Sequence, residues 1–228
     1  MSYRLAERLG PADVVTLANA AVGVTAVAVA LTGRLGLVAR LLLLAAVADG
    51  LDGIIARRYG GTAVGPTLDA MADVVSFGAA PAVFVLAVAR QGMPPLAVEP
   101  TGYAIAGAVA ALVVCLSLLR SAMYTVHFPD ASRRPGIQNT LLASILAAAY
   151  LSGLTQPYAI VVVAAVLAVL QIAPIPYPKL LARDAFAMGV VQFAAILAPT
   201  VAGRVLPRAL LVAAMAYMVL APWFYWGE

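Results

Sequence analysis

Residues 49–73 read DGLDGIIARRYGGTAVGPTLDAMAD and set four carboxylates, Asp49, Asp52, Asp69 and Asp73, among small and apolar neighbours. On a helix, residues three or four apart share a face. Asp49 and Asp52 therefore form one pair, and Asp69 and Asp73 a second. Gly60 and Gly61 interrupt the chain between them, so two antiparallel helices can turn both pairs toward each other. A carboxylate at the centre of a bilayer costs about 2.5–3.5 kcal/mol on insertion scales, so four of them need compensation. Converging carboxylates repel unless a cation sits between them. Hard divalent ions take such all-oxygen cages, and two ions can share bridging carboxylates. Gly50, Gly53 and Ala56 thin the first helix, Gly65 thins the start of the second, and Arg57 adds a fork suited to a diphosphate.

The chain around this stretch is 64% hydrophobic and only 11% charged over 228 residues. Soluble domains carry about 25% charged residues. The expected class is thus an all-α, polytopic membrane helix bundle forming one domain over residues 1–228. Eight apolar segments are expected, at roughly 12–32, 37–58, 66–90, 102–125, 137–153, 157–175, 183–201 and 205–225. Glycine and proline punctuate the connections, as at Gly33, Pro94, Pro95, Pro100, Pro129 and Pro174. The opening residues MSYRLAERLG lack an apolar run with a cleavage site, so the first apolar segment is expected to serve as the insertion signal. Arginine and lysine placement favours an N-terminus inside. Arg4, Arg8, Arg57, Arg58, Arg120, Arg133, Arg134, Lys179 and Arg183 then lie on the inner side, against Arg34, Arg40, Arg90, Arg204 and Arg208 outside. This puts the carboxylates at the cytoplasmic side of a cell membrane. The net charge of +4 suits anionic headgroups better than nucleic acid.

The pattern Asp49-x2-Asp52-Gly53-x2-Ala56-Arg57-x7-Gly65-x3-Asp69-x3-Asp73 resembles the signature of the CDP-alcohol phosphotransferase family. That resemblance implies a six-helix catalytic core with extra helices, a homodimer, and transfer of a lipid-phosphate group from a CDP-lipid to an alcohol with release of CMP. It implies that Asp49, Asp52, Asp69 and Asp73 hold one or two Mg²⁺ or Mn²⁺ ions, and that Asp73 is also the base for the acceptor hydroxyl. Gly53 and Ala56 would border the cytidine, Arg57 would steady donor phosphate, and Gly65 would allow close approach. The segment Asp69 to Ala82, DAMADVVSFGAAPA, is similar to serine-using members, and Thr16-Leu17-x-Asn19-x3-Gly23 looks like the first helix of phosphatidylserine synthases. Thr16 and Asn19 would then line the nucleotide site. Arg120, Arg133 and Arg134 are the candidates for binding the acceptor. Serine-using relatives tend to carry a second arginine where this chain has Met123, and their Gly-Leu-Pro turn is here Pro135-Gly136-Ile137. Serine is the expected acceptor, with glycerol 3-phosphate and inositol phosphate open, and both a diacyl and an ether-linked donor open.

Other polar residues read more plainly. Asp13 and Asp184 fall at helix starts, where a carboxylate caps exposed N–H groups. His127 falls in a polar loop, Cys115 inside an apolar run as a buried thiol, and Trp223, Phe224, Tyr225 and Trp226 form an interfacial anchor. The rival function is a cation- or proton-coupled transporter. Intramembrane carboxylates mark ion paths, yet transporters usually show two related halves, and no matching cluster follows residue 140.

Overall fold

A computed structural model describes residues 8–127, 133–178 and 182–224. The described chain is almost wholly helical: α1 (Pro11–Leu31), α2 (Leu35–Tyr59), α3 (Gly65–Asp73), α4 (Ala80–Gly92), α5 (Pro100–His127), α6 (Asn139–Ser152), α7 (Pro157–Leu170), α8 (Ala182–Leu197) and α9 (Val205–Phe224). Each of the eight apolar segments is helical. The third is α3 and α4 joined by a π-helical turn, Val74–Ala79. Such a chain is driven to helix because the bilayer core offers backbone groups no other partner.

Four stretches are long and apolar enough to cross a membrane: Pro11–Leu31, Gly65–Gly92, Pro100–His127 and Val201–Phe224. Helix α2 is also long, with 25 residues, but it carries Arg40, Asp49, Asp52, Arg57 and Arg58. Helices α6 and α7 have 14 residues each. Pro11 and Pro157 open their helices where no intrahelical N–H is needed, and Gly33 closes the α1–α2 hairpin at φ 77°.

The core lies where α2, α4 and α6 meet. Leu42, Leu43, Phe84, Val85, Leu142, Ile145 and Leu146 are all buried there, with Tyr150 edge-on to Phe84 at 5.3 Å between ring centroids. Helix α1 buries one narrow stripe, Asp13, Thr16, Asn19, Gly23, Ala26 and Ala30, against α2 and α3. Gly23 is required by contact, since a Cβ there would stand 2.8 Å from the Ser76 Cα on the π turn. Two short strands, β1 (Arg133–Pro135) and β2 (Pro176–Pro178), pair antiparallel beside the bundle.

The structure corrects one reading of the sequence. Cys115 is exposed, because α5 buries the stripe Ala106, Ala110, Val113, Ser117 and Arg120, and Cys115 falls off it. His127 is the last residue of α5 and is exposed. Asp184 lies in the first turn of α8. Trp223 and Phe224 are exposed at the end of α9, while Tyr225 and Trp226 lie outside the described residues.

Candidate active site

Residues 60–64 join α2 to α3, and carboxylates from the two helices converge. Oxygens of Asp49, Asp69 and Asp73 all lie within 4.8 Å of one another. Asp52 stands beside this trio, near enough to repel Asp49 and Asp69, but its own contact is different. It is buried, and its Oδ2 accepts a 2.7 Å hydrogen bond from the hydroxyl of buried Thr16. Asp49 Oδ2 accepts from the Thr140 hydroxyl on α6 at 3.2 Å. Asp73 Oδ1 is buried with no hydrogen-bond partner among the described residues.

These residues fit a divalent ion. The donor set is all carboxylate oxygen, it converges from two helices, and it contains a buried orphan acceptor that a cation would satisfy. Asp49, Asp69 and Asp73 would hold it directly, with Asp52 alongside.

The nucleotide-lining candidates fall around the same hairpin. Asn19 is fully buried one turn beyond Thr16, and neither its side-chain oxygen nor its nitrogen has a hydrogen-bond partner among the described residues. Its backbone carbonyl accepts from the Ser76 hydroxyl at 3.0 Å. Arg57 lies back along α2, so that a Cβ on Gly53 would stand 3.4 Å from its Nη1. Gly53 and Arg57 line the same cavity as Asp49, while Ala56 does not border it. Gly65 opens α3, and a Cβ there would press on Asp13 Oδ1 at 3.3 Å.

A second cluster gathers on α5 and β1. Arg120 is buried, its guanidinium carbon sits 4.3 Å from the centre of the Tyr124 ring, and that of Arg134 sits 5.5 Å from the same ring. The Tyr124 hydroxyl donates to the Pro135 carbonyl. Nε and Nη2 of Arg120 and Nε of Arg134 are buried without a hydrogen-bond partner among the described residues. Asp73 lies within electrostatic reach of Arg120, and Asp69 within that of Arg134. The side chain of Arg133 lies outside the described part of the molecule.

Sequence reasoning missed Thr140, Tyr124, and the network behind them. Gln171, fully buried at the end of α7, donates through Nε2 to Asn139 Oδ1 at 3.0 Å and to Ser117 Oγ at 3.1 Å. Asn139 Nδ2 donates to Ser121 Oγ at 3.0 Å. Gly136 closes over this network at φ 78°, and a Cβ would collide with the Gln171 carbonyl. The polar run Gln138-Asn139-Thr140 in an apolar context was the available signal.

From Asp49 and Arg57 a cavity of about 770 Å³ continues between α2, α6, α8 and α9. Gln138 and Thr140 line it, together with Phe193 and Leu197 of α8 and Leu210 of α9. Gln192 ties one wall together, donating to the Leu43 carbonyl on α2 at 2.9 Å.

The family model for CDP-alcohol phosphatidyltransferase matches residues 10–227. The chain belongs to the CDP-alcohol phosphatidyltransferase family. It is also similar to the archaetidylserine synthase of Methanothermobacter thermautotrophicus, with 27% identity over 171 residues, spanning 73% of this chain and 69% of that one. As a CDP-alcohol phosphatidyltransferase, the chain is a membrane transferase of phospholipid biosynthesis, which favours the enzyme over the transporter.

Proposed function

We propose that the protein moves the lipid-phosphate group of a CDP-activated lipid onto the hydroxyl of serine, releasing CMP, in a cell membrane with the site facing the cytoplasm. The convergence of Asp49, Asp69 and Asp73 within 4.8 Å, in electrostatic reach of Arg120 and Arg134, carries this reading.

Asp73 is the base, one of its carboxylate oxygens taking the proton from the acceptor hydroxyl while the other serves the ion. The acceptor oxygen bonds to the lipid-side phosphorus of the donor as the bond from that phosphorus to the bridging oxygen breaks. The bridging oxygen leaves with CMP. Bound Mg²⁺ or Mn²⁺, as one or two ions on the four aspartates, neutralises charge on the diphosphate. Thr16, Asn19, Gly53, Ala56, Arg57 and Gly65 surround the nucleotide end, with the unpaired amide of Asn19 available to a base edge. The donor's chains extend along the apolar cavity from Asp49 toward Leu210.

Serine as acceptor draws on two supports. The buried guanidinium of Arg120 keeps two nitrogens for an anion, and a carboxylate matches that fork. The Methanothermobacter relative is named for a serine-containing product, and its archaetidyl name brings an ether-linked donor into consideration. The family resemblance supports a homodimer.

The test is purified protein in micelles with CDP-diacylglycerol or its ether-linked counterpart, offered serine, glycerol 3-phosphate or inositol phosphate separately. CMP release and a serine-containing lipid by mass spectrometry are expected, with loss on chelation and return with Mg²⁺ or Mn²⁺. Product with a different acceptor would reassign the Arg120 cluster. No CMP with any acceptor would sink the reading.

A further inference from the structure

Helix α1 touches the carboxylate hairpin at two levels. The upper contact is Thr16 on Asp52. One turn earlier, Asp13 is buried at 2% exposure. Its Oδ2 accepts from the Gly10 backbone N–H at 2.7 Å, which is the cap expected from sequence. The same oxygen also accepts from the Thr62 hydroxyl at 2.8 Å, across 49 residues of chain. Thr62 Oγ1 in turn accepts from the Gly65 backbone N–H at 3.1 Å, at the first residue of α3. Packing closes the arrangement: a Cβ on Gly10 would stand 3.0 Å from Thr62 Cγ2, and one on Gly65 3.5 Å from Thr62 Oγ1.

Residues 60–64 are the only covalent link between the helix bearing Asp49 and Asp52 and the helix bearing Asp69 and Asp73. The link is glycine-rich, with Gly60 at φ 89° and Gly61 meeting nothing within 4 Å of a built Cβ. It has little stiffness of its own. We propose that Asp13 and Thr62 are positioning residues, a brace through which α1 sets the offset between the two aspartate pairs and so the geometry in which they grip a divalent ion. The inference rests on the phosphotransferase reading for the identity of the ion. It goes beyond that reading in giving a role to two residues outside the Asp49–Asp73 signature positions. It also gives a reason for glycine at position 65, where a side chain would wedge the brace apart.

The brace works through hydrogen-bond acceptance, not through the charge of Asp13, and this separates it from a ligand. Asparagine at position 13 keeps an oxygen for Gly10 and Thr62. Serine at position 62 keeps the hydroxyl, whereas valine keeps the shape and loses it. Mn²⁺ binding to detergent-solubilised protein, followed by electron paramagnetic resonance without substrate, is the primary readout. Amide hydrogen exchange over residues 60–65 is the second. T62V and D13A are expected to weaken Mn²⁺ binding by up to about tenfold, the scale of one lost hydrogen bond, and to speed exchange in 60–65. T62S and D13N are expected to stay within about twofold of the parent on both measures. Parent-like Mn²⁺ binding by T62V overturns the brace, and so does D13N binding as weakly as D13A, because charge would then be the operative property. T62V is nearly isosteric at a half-buried site, so it keeps the test open should D13A fail to fold. A parent protein that binds Mn²⁺ in this pattern but releases no CMP with any acceptor would refute the transfer reaction and leave the brace standing.

Discussion

The carboxylate hairpin and the arginine cluster sit side by side yet are held in different ways. Among the carboxylates, Asp49 and Asp52 accept hydrogen bonds from hydroxyls on neighbouring helices, Thr140 and Thr16. In the arginine cluster the guanidiniums of Arg120 and Arg134 lean on one tyrosine ring, and Nε and Nη2 of Arg120 and Nε of Arg134 have no hydrogen-bond partner among the described residues. A hydroxyl fixes a carboxylate oxygen to within a fraction of an ångström. A ring face fixes a cation's plane and leaves its donors for something else. One half of the site is built before any ligand arrives, and the other half is stocked with unused donors.

Substitutions can break that contrast. Asp73→Asn removes the acceptor of the proton while keeping shape, and turnover is expected to fall by about 10²–10⁴-fold with the protein still folded in the membrane. Normal CMP release from that variant would take the role of base away from Asp73. Arg120→Lys keeps the charge but loses the fork, and the KM for the acceptor is expected to rise by about tenfold or more while CDP-lipid binding holds. An equal loss for both substrates would place Arg120 with the donor instead. Tyr124→Phe keeps the ring under both arginines and loses the hydroxyl, with its bond to the Pro135 carbonyl and its hydrogen bond with Arg120. A cost of about 0.5–1.5 kcal/mol in stability is expected, with acceptor KM changed by no more than a few-fold. A larger catalytic loss would mean that the hydroxyl itself meets substrate.

The helical segments were legible because hydropathy and proline or glycine punctuation act over short ranges. The expected 66–90 stretch corresponds to Gly65–Gly92, and the expected 102–125 stretch to Pro100–His127. The pairing of the aspartates was legible too, since spacings of three and four residues translate directly into a helix face. The cross-chain partners were not. Thr140 meets Asp49 across 91 residues and Thr62 meets Asp13 across 49, separations at which periodicity carries no information. The π turn at Val74–Ala79 also left no mark in the sequence, since its close neighbours, Gly23 at Ser76 and Ser117 at Gly78, come from distant helices. Cys115 was misjudged for a related reason. An apolar helix in a membrane has two apolar environments, protein and lipid, and composition does not separate them.

The depth of the site follows from helix length. Asp49 lies ten residues before the end of α2 at Tyr59, and Asp73 eight residues after the start of α3 at Gly65, so both sit about 12–15 Å below the ends of their helices at 1.5 Å per residue. The carboxylates therefore converge two to three turns inside the helix ends, not at the 60–64 turn itself. Under the proposed reaction a water-soluble acceptor and an oily donor would have to meet at that depth, the donor's chains lying along the cavity between α2 and α8.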